Sequence, residues 1–274
     1  MQYISFVHNG KFVLKENLNL GLNRGFRYGD GLFESLRIIS GTPHLYEPHL
    51  ERLFNGLKQL KIQLTAIQEK QIRRRVPELI KKNKIDGDGI LRIFVYRSGG
   101  GKYSPEENAA DYLLETEPLN ENGFKMNETG LRIDLSEGYL IQPTHLTEVK
   151  SLNTLPYVLA SVEKQERGLD DLLLLNEKGN IVEATSSNIF LCFKNELHTP
   201  LISDGCLPGI MRNHILEIAT KKGYKVVERS MNVKDVLTAD ECFLSNSISG
   251  IRWVVAFQNK RYFNKFGKQI FGLL

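Results

Sequence analysis

Lys150 and Glu183 are the residues of this chain whose types point most directly to covalent chemistry with a carbonyl. Lys150 stands in the run Glu148-Val-Lys-Ser-Leu-Asn-Thr-Leu-Pro-Tyr-Val-Leu-Ala160, and Glu183 opens Glu-Ala-Thr-Ser-Ser-Asn-Ile-Phe190. A lysine amine joins reversibly to an aldehyde and, once displaced, serves as a base. A carboxylate can keep a ring nitrogen protonated, so that the ring takes up electrons. Lysines and glutamates are common, and most of them face solvent. The case for these two therefore has to come from the chain around them.

The elements that would position them read as follows. Two alternating runs joined at Asn9-Gly10 predict an opening hairpin with a type I′ turn. The stretch Asn23-Arg-Gly-Phe-Arg-Tyr-Gly-Asp-Gly31 leads into a strand over 32–39, and Ser40-Gly41 turns the chain back. Leu50, Leu53, Phe54, Leu57 and Leu60 recur at helical spacing, and a second helix is expected over 66–82. A buried strand over 90–96 ends at Arg97-Ser-Gly-Gly-Gly-Lys-Tyr103, and residues 111–116 form the last strand of this half. The triple glycine lacks the ending of a phosphate loop, so a turn or a mobile loop beside a ligand fits it better.

Polar residues 117–125, with Pro118 and Gly123, read as a linker. The expected division is an N-terminal α/β domain over 1–117, a linker over 118–125 and a C-terminal domain over 126–274. Strands are expected near 131–133 and 139–141, a helix over 155–167, an antiparallel meander through 171–176, 181–183 and 188–193, and a helix over 209–222. Strands over 224–229, 241–244 and 251–257 complete the reading. Strands outnumber helices and many neighbours are linked by short turns, which argues for a mixed α+β fold.

Composition narrows the function classes. A chain of 274 residues with 41% hydrophobic and 25% charged residues is that of an ordinary globular protein. The net charge of +4 suits a small anionic ligand but is too mild to argue for nucleic acid. Arg73-Arg-Arg75 and Lys81-Lys82 have no interleaved aromatics and read as a solvated helix face. Cys192, Cys206 and Cys242 have neither zinc spacing nor a disulfide framework, so no metal is expected. No signal-peptide pattern or membrane-spanning run is visible, and a cytoplasmic protein is the expectation.

Five motifs, in order, resemble the class IV (fold-type IV) pyridoxal phosphate enzymes. They are Arg24-Gly-Phe-Arg-Tyr-Gly-Asp-Gly-Leu-Phe-Glu34, His49-Leu-Glu-Arg52, Lys150-Ser-Leu-Asn-Thr-Leu, Glu183-Ala-Thr-Ser-Ser-Asn-Ile-Phe190 and Leu207-Pro-Gly-Ile-Met-Arg212. The resemblance implies a smaller N-terminal domain, a larger C-terminal pseudo-barrel domain and a homodimer with pyridoxal 5′-phosphate as cofactor. It makes Lys150 the Schiff-base lysine and Glu183 the partner of the pyridine nitrogen. It assigns the phosphate to Arg52, the amides of Ile210 and Met211 at a helix start, and Ser247, with Leu207 against a ring face. It also implies Arg97 and Arg37 as cations of a substrate pocket, where two guanidiniums could clamp a dicarboxylate, with Tyr28, Phe33 and Tyr103 as walls. A surface arginine on an alternating strand accounts for Arg37 almost as well.

Within that family the chain's length and the loop Arg97-Ser-Gly-Gly-Gly-Lys-Tyr-Ser104 resemble aminodeoxychorismate lyase, which makes 4-aminobenzoate and pyruvate for folate synthesis. Glu34-Ser-Leu-Arg37 looks instead like branched-chain aminotransferases, and Phe33 stands where a D-amino-acid aminotransferase has tyrosine. The lyase is the first expectation and a branched-chain or D-amino-acid aminotransferase the alternative. A ligand-binding relative without turnover is a third and remote one, because the matching catalytic positions are intact.

Overall fold

The computed structural model describes residues 5–14, 17–18 and 23–274. The chain forms two compact units. One comprises Met1–Gly123 with Val149–Asn153, the other Phe124–Glu148 with Thr154–Leu274. The lysine-bearing segment therefore belongs to the N-terminal unit, which a division at the polar linker does not anticipate.

In the N-terminal unit, β1 (Ser5–His8) and β2 (Lys11–Leu14) form the expected hairpin, with Asn9 and Gly10 both at positive φ as a type I′ turn requires. A short helix α1 (Arg24–Tyr28), capped by Asn23, precedes β3 (Gly31–Ile39) and β4 (Thr42–Pro43). Helices α2 (Tyr46–Gln59) and α3 (Ala66–Lys82) follow, then β5 (Gly89–Arg97) and β6 (Ala110–Pro118). Thr65 and Gln68 close a capping box on α3, which fixes where that helix begins. The six strands pair antiparallel in the order β2-β1-β6-β5-β3-β4. Leu32, Leu36 and Ile38 on one face of β3 pack with Leu50, Leu53 and Leu79 of the helices, so α2 and α3 cover that face.

The C-terminal unit begins with β7 (Leu131–Leu140), α4 (Leu155–Glu166), β8 (Asp171–Leu175), β9 (Ile181–Ala184), β10 (Asn188–Phe193) and β11 (Glu196–Thr199). It continues through α5 (Ile210–Lys221), β12 (Lys225–Glu228), α6 (Val233–Thr238), β13 (Glu241–Asn246), β14 (Gly250–Phe257), β15 (Lys260–Arg261) and α7 (Phe266–Phe271). The two strands expected near 131 and 141 are one irregular strand, with a register shift between Leu135 and Leu140.

The expected meander also fails. The sheet order is β12-β11-β10-β13-β14-β7-β8-β9, so β9 lies at one end while β10 pairs with β11 and β13. A flat sheet would put β9 and β10 five strand spacings apart, roughly 24 Å. Residues 185–187 reach across about 14 Å at most. The sheet must therefore curl, and the unit has the half-barrel character expected of it.

Candidate active site

In the N-terminal unit the backbone around Lys150 is pinned to the start of β3. Phe33 N–H donates to Lys150 O at 3.0 Å, Leu152 N–H donates to Gly31 O at 3.0 Å, and Ser151 bridges Leu32. A side chain at position 31 would come within 2.6 Å of Val95 O, so only glycine lets β5 approach here. Lys150 Nζ lies 4.5 Å from the centre of the Phe33 ring, and Phe33 stacks on Phe94 at 5.9 Å. The amine therefore sits against an aromatic wall on the face of β3 opposite the helices.

On the helix side, buried Glu34 receives Arg52 Nε at 2.8 Å and a second Arg52 nitrogen at 2.6 Å, which is a fork-on-carboxylate geometry. His49 Nδ1 donates to the same acid at 2.6 Å. His49 and Arg52 stand three apart on α2, on one face. Burial alone would push the Glu34 carboxyl up. The Arg52 charge and the hydrogen bonds from His49 and Arg52 outweigh it and bring the group down to about 2. Burial holds His49 below its ordinary value, against the pull of Glu34. Its Nε2 is buried with no hydrogen-bond partner among the described residues.

In the C-terminal unit, buried Glu183 on β9 accepts from Tyr157, Asn188 and Leu207. Tyr157 Oη donates to Oε1 at 2.7 Å, while the Asn188 side-chain amide and Leu207 N–H donate to Oε2 at 3.3 and 3.2 Å. Asn188 also donates to Leu207 O at 2.9 Å, and so joins β9, the start of β10 and the approach to α5. Gly209 is the N-cap of α5 and has no side-chain cap, which leaves the first-turn amides of Ile210 and Met211 to be satisfied by another acceptor. Ser247 sits in the β13–β14 turn. Asn246 orders that turn by accepting from Ile248 and Ser249 N–H, and it donates to Ser187 Oγ.

The expected cofactor residues thus gather within each unit: Arg52 and Lys150 in one, Glu183, Leu207, Ile210, Met211 and Ser247 in the other. Pyridoxal phosphate calls for an amine, a carboxylate for its ring nitrogen and donors for its phosphate, and Lys150 and Arg52 in one unit and Glu183 and the uncapped start of α5 in the other are groups of those kinds. Among the described residues no three His, Cys, Asp or Glu side chains cluster as metal ligands, and no helix is long and apolar enough to cross a membrane.

The arginine clamp needs correction. Arg37 is level with Ile90 on β5, seven residues from Arg97. That separation is roughly 23 Å along the strand, and an odd offset puts the two side chains on opposite faces. They cannot grip one small dicarboxylate together. Arg37 is buried on Asp88 at 2.9 Å and donates to Gly123 O at 2.7 Å. Arg97 is held by Asp30, Asn108 and the carbonyls of Leu60 and Lys61. Tyr28 and Tyr103 do meet, with ring centres 5.7 Å apart, and Arg24 ties their loop by donating to the carbonyls of Gly100, Gly101 and Lys102.

Four residues were not singled out as site residues from sequence: Glu34, His49, Tyr157 and Asn188. Glu34 had a usable signal, since alternation places its carboxylate among buried leucines, where a charge needs partners. Asn188 lay inside a quoted motif. Tyr157 lay in the helix after Lys150, with nothing to tell its hydroxyl from a packed ring.

The family model for class IV aminotransferases matches residues 31–257. A Methanocaldococcus jannaschii protein described as a "putative branched-chain-amino-acid aminotransferase" is 32% identical over 89% of this chain and 84% of its own. The 4-amino-4-deoxychorismate lyase structure from Pseudomonas aeruginosa is 30% identical with a TM-score of 0.83, covering 98% of this chain and 96% of that one. The branched-chain aminotransferase structure from Thermoproteus uzoniensis, at 23% identity, shares the fold with a TM-score of 0.88 over 99% and 93% of the two chains.

Proposed function

Because the chain belongs to the class IV aminotransferases, a pyridoxal-phosphate-dependent family of transaminases and lyases, we propose that it transaminates an amino acid with an apolar side chain. The observation that carries this reading is the Phe33–Phe94 wall beside Lys150 Nζ. The two arginines considered for a second carboxylate are engaged by acids of the protein itself. An apolar side chain gains from such a wall, whereas a dicarboxylate would have to displace buried ion pairs.

Bound pyridoxal phosphate supplies an aldehyde carbon and a ring that accepts the electron pair freed at the substrate's α-carbon. Lys150 would hold the cofactor through its amine and, once that amine is displaced, would take and return the α-proton. Glu183 holds the ring nitrogen in its charged form. Arg52, oriented by Glu34, and the first amides of α5 are each suited to an anion and would be the phosphate's donors.

A second reading is aminodeoxychorismate lyase, supported by the loop that starts at Arg97 and by the likeness to the Pseudomonas aeruginosa lyase. The test is product analysis of the cofactor-loaded protein with a panel of L- and D-amino acids plus a keto-acid acceptor, and separately with aminodeoxychorismate. Amino transfer from leucine, valine or isoleucine supports the first reading. Formation of 4-aminobenzoate and pyruvate without any amino transfer replaces it with the second. We further propose a cytoplasmic homodimer.

A further inference from the structure

We propose that Tyr157 is a positioning residue for Glu183: its hydroxyl holds the carboxylate in one orientation and keeps it anionic, so that the proton between acid and cofactor ring stays on the ring nitrogen. The inference rests on the reading that Glu183 faces that nitrogen. Tyr157 lies on α4, seven residues after Lys150, and its hydroxyl donates to Glu183 Oε1 at 2.7 Å. The other two donors, at 3.2 and 3.3 Å, both fall on Oε2 and are longer. Tyr157 therefore makes the shortest of these three bonds, and it falls on Oε1 while the other two fall on Oε2, so that donors on both oxygens fix the plane of the carboxylate.

The chemistry follows from what a hydrogen bond does to an acid. A donor to a carboxylate stabilises the charged form and makes the oxygen a poorer base. A pyridine nitrogen and a carboxylate compete for one proton. Without the phenol, Glu183 Oε1 becomes the better base and the proton moves toward it, which leaves the ring neutral and a weaker electron sink. Burial first, and then the Glu183 charge, push the phenol well above its ordinary value, so Tyr157 stays a donor at every pH at which the protein works. Asn188 and Leu207 N–H remain when the hydroxyl is removed. The loss should therefore be partial, unlike that from removing Glu183 itself.

The test uses holoenzyme loaded with cofactor labelled with nitrogen-15 in the ring, whose chemical shift reports where the proton sits. Tyr157→Phe should move the resonance toward the unprotonated value and lower kcat by about 10-fold, the worth of one hydrogen bond to a charged group, with KM unchanged. A purely structural tyrosine would instead lower the thermal midpoint of the apoprotein and leave the resonance in place. Glu183→Gln is the control. If that variant moves the resonance and Tyr157→Phe does not, the proposal for Tyr157 is overturned and the Glu183 assignment stands. If neither moves it, the Glu183 assignment falls and the proposal with it. Should Tyr157→Phe not fold, 4-aminophenylalanine at 157 keeps the ring and its packing with a weaker donor. A shift toward the unprotonated value then supports the proposal, and no shift overturns it.

Discussion

Glu34 shows how one buried acid orders the histidine and arginine beside it. Its carboxyl is brought down to about 2 from an ordinary 4.5, so the folded protein binds this proton less readily than the unfolded chain. The group therefore adds stability above about pH 4.5, and that contribution is lost as pH falls toward 2. Its size is about 3 kcal/mol. His49 acts earlier. It is held below 6.5 in the fold, so the unfolded chain takes up its proton first and stability starts to fall as pH drops below that value. Urea unfolding of the apoprotein should become easier in two stages, below pH 6.5 and again below 4.5, and Glu34→Gln should reduce the second, to which the lowered Asp88, Glu163 and Asp235 also contribute. Glu183→Gln should retain the cofactor and lower kcat by about 100-fold through a slower α-proton step. Unchanged single-turnover rates would remove Glu183 from its role. Lys150 and Glu183 stand out in the sequence by their motifs, while what surrounds each, the Phe33 ring beside one and the Tyr157, Asn188 and Leu207 donors on the other, is visible only in the fold. Glu34 was quoted in a motif and its partners were not seen, because pairing across β3 and α2 is a tertiary fact.

At the scale of elements, the approach to α5 is the most sensitive part of the C-terminal unit. A Cβ at Gly209 would run into Asn188 Oδ1, and Asn188 is the side chain that ties Glu183 to Leu207. Gly209→Ala should weaken cofactor binding by about 10-fold, as loss of one charge-assisted contact does, with the effect read from quenching of Trp253 fluorescence. An unaltered affinity would mean that the α5 amides are not the phosphate site. Most elements were readable because period and capping are local: α3 begins at its Thr65 capping box, and Asn9-Gly10 makes its hairpin. Pairing partners were not. The meander failed because 188–193 joins β11 and β13 rather than β9, and the arginine clamp failed because register decides the face and level of each side chain. Neither fact is carried by any window of sequence.

At the scale of the whole molecule, α4 presents Leu155, Val158, Leu159 and Val162 with exposures of 64%, 51%, 36% and 44%. They stand at i, i+3, i+4 and i+7 and form one apolar stripe. A contiguous patch of this kind usually marks a protein contact, and a second copy of this chain is the partner the homodimer proposal requires. Val158→Glu should convert a dimer to monomer in light scattering, and a variant that stays dimeric would place the contact elsewhere. From sequence the helix was visible but the exposure of its apolar side was not, since periodicity does not say which face a neighbour covers. The division of the chain was legible only in part, because Val149–Asn153 pairs with the start of β3 across a long stretch of sequence.

The covalent role of Lys150 is tested most directly by borohydride reduction of the cofactor-loaded protein, followed by proteolysis and mass mapping. The account predicts the pyridoxyl group on the peptide containing Lys150, and no labelled peptide from Lys150→Ala. The same label on a different lysine, or a reduced protein carrying none, would contradict it.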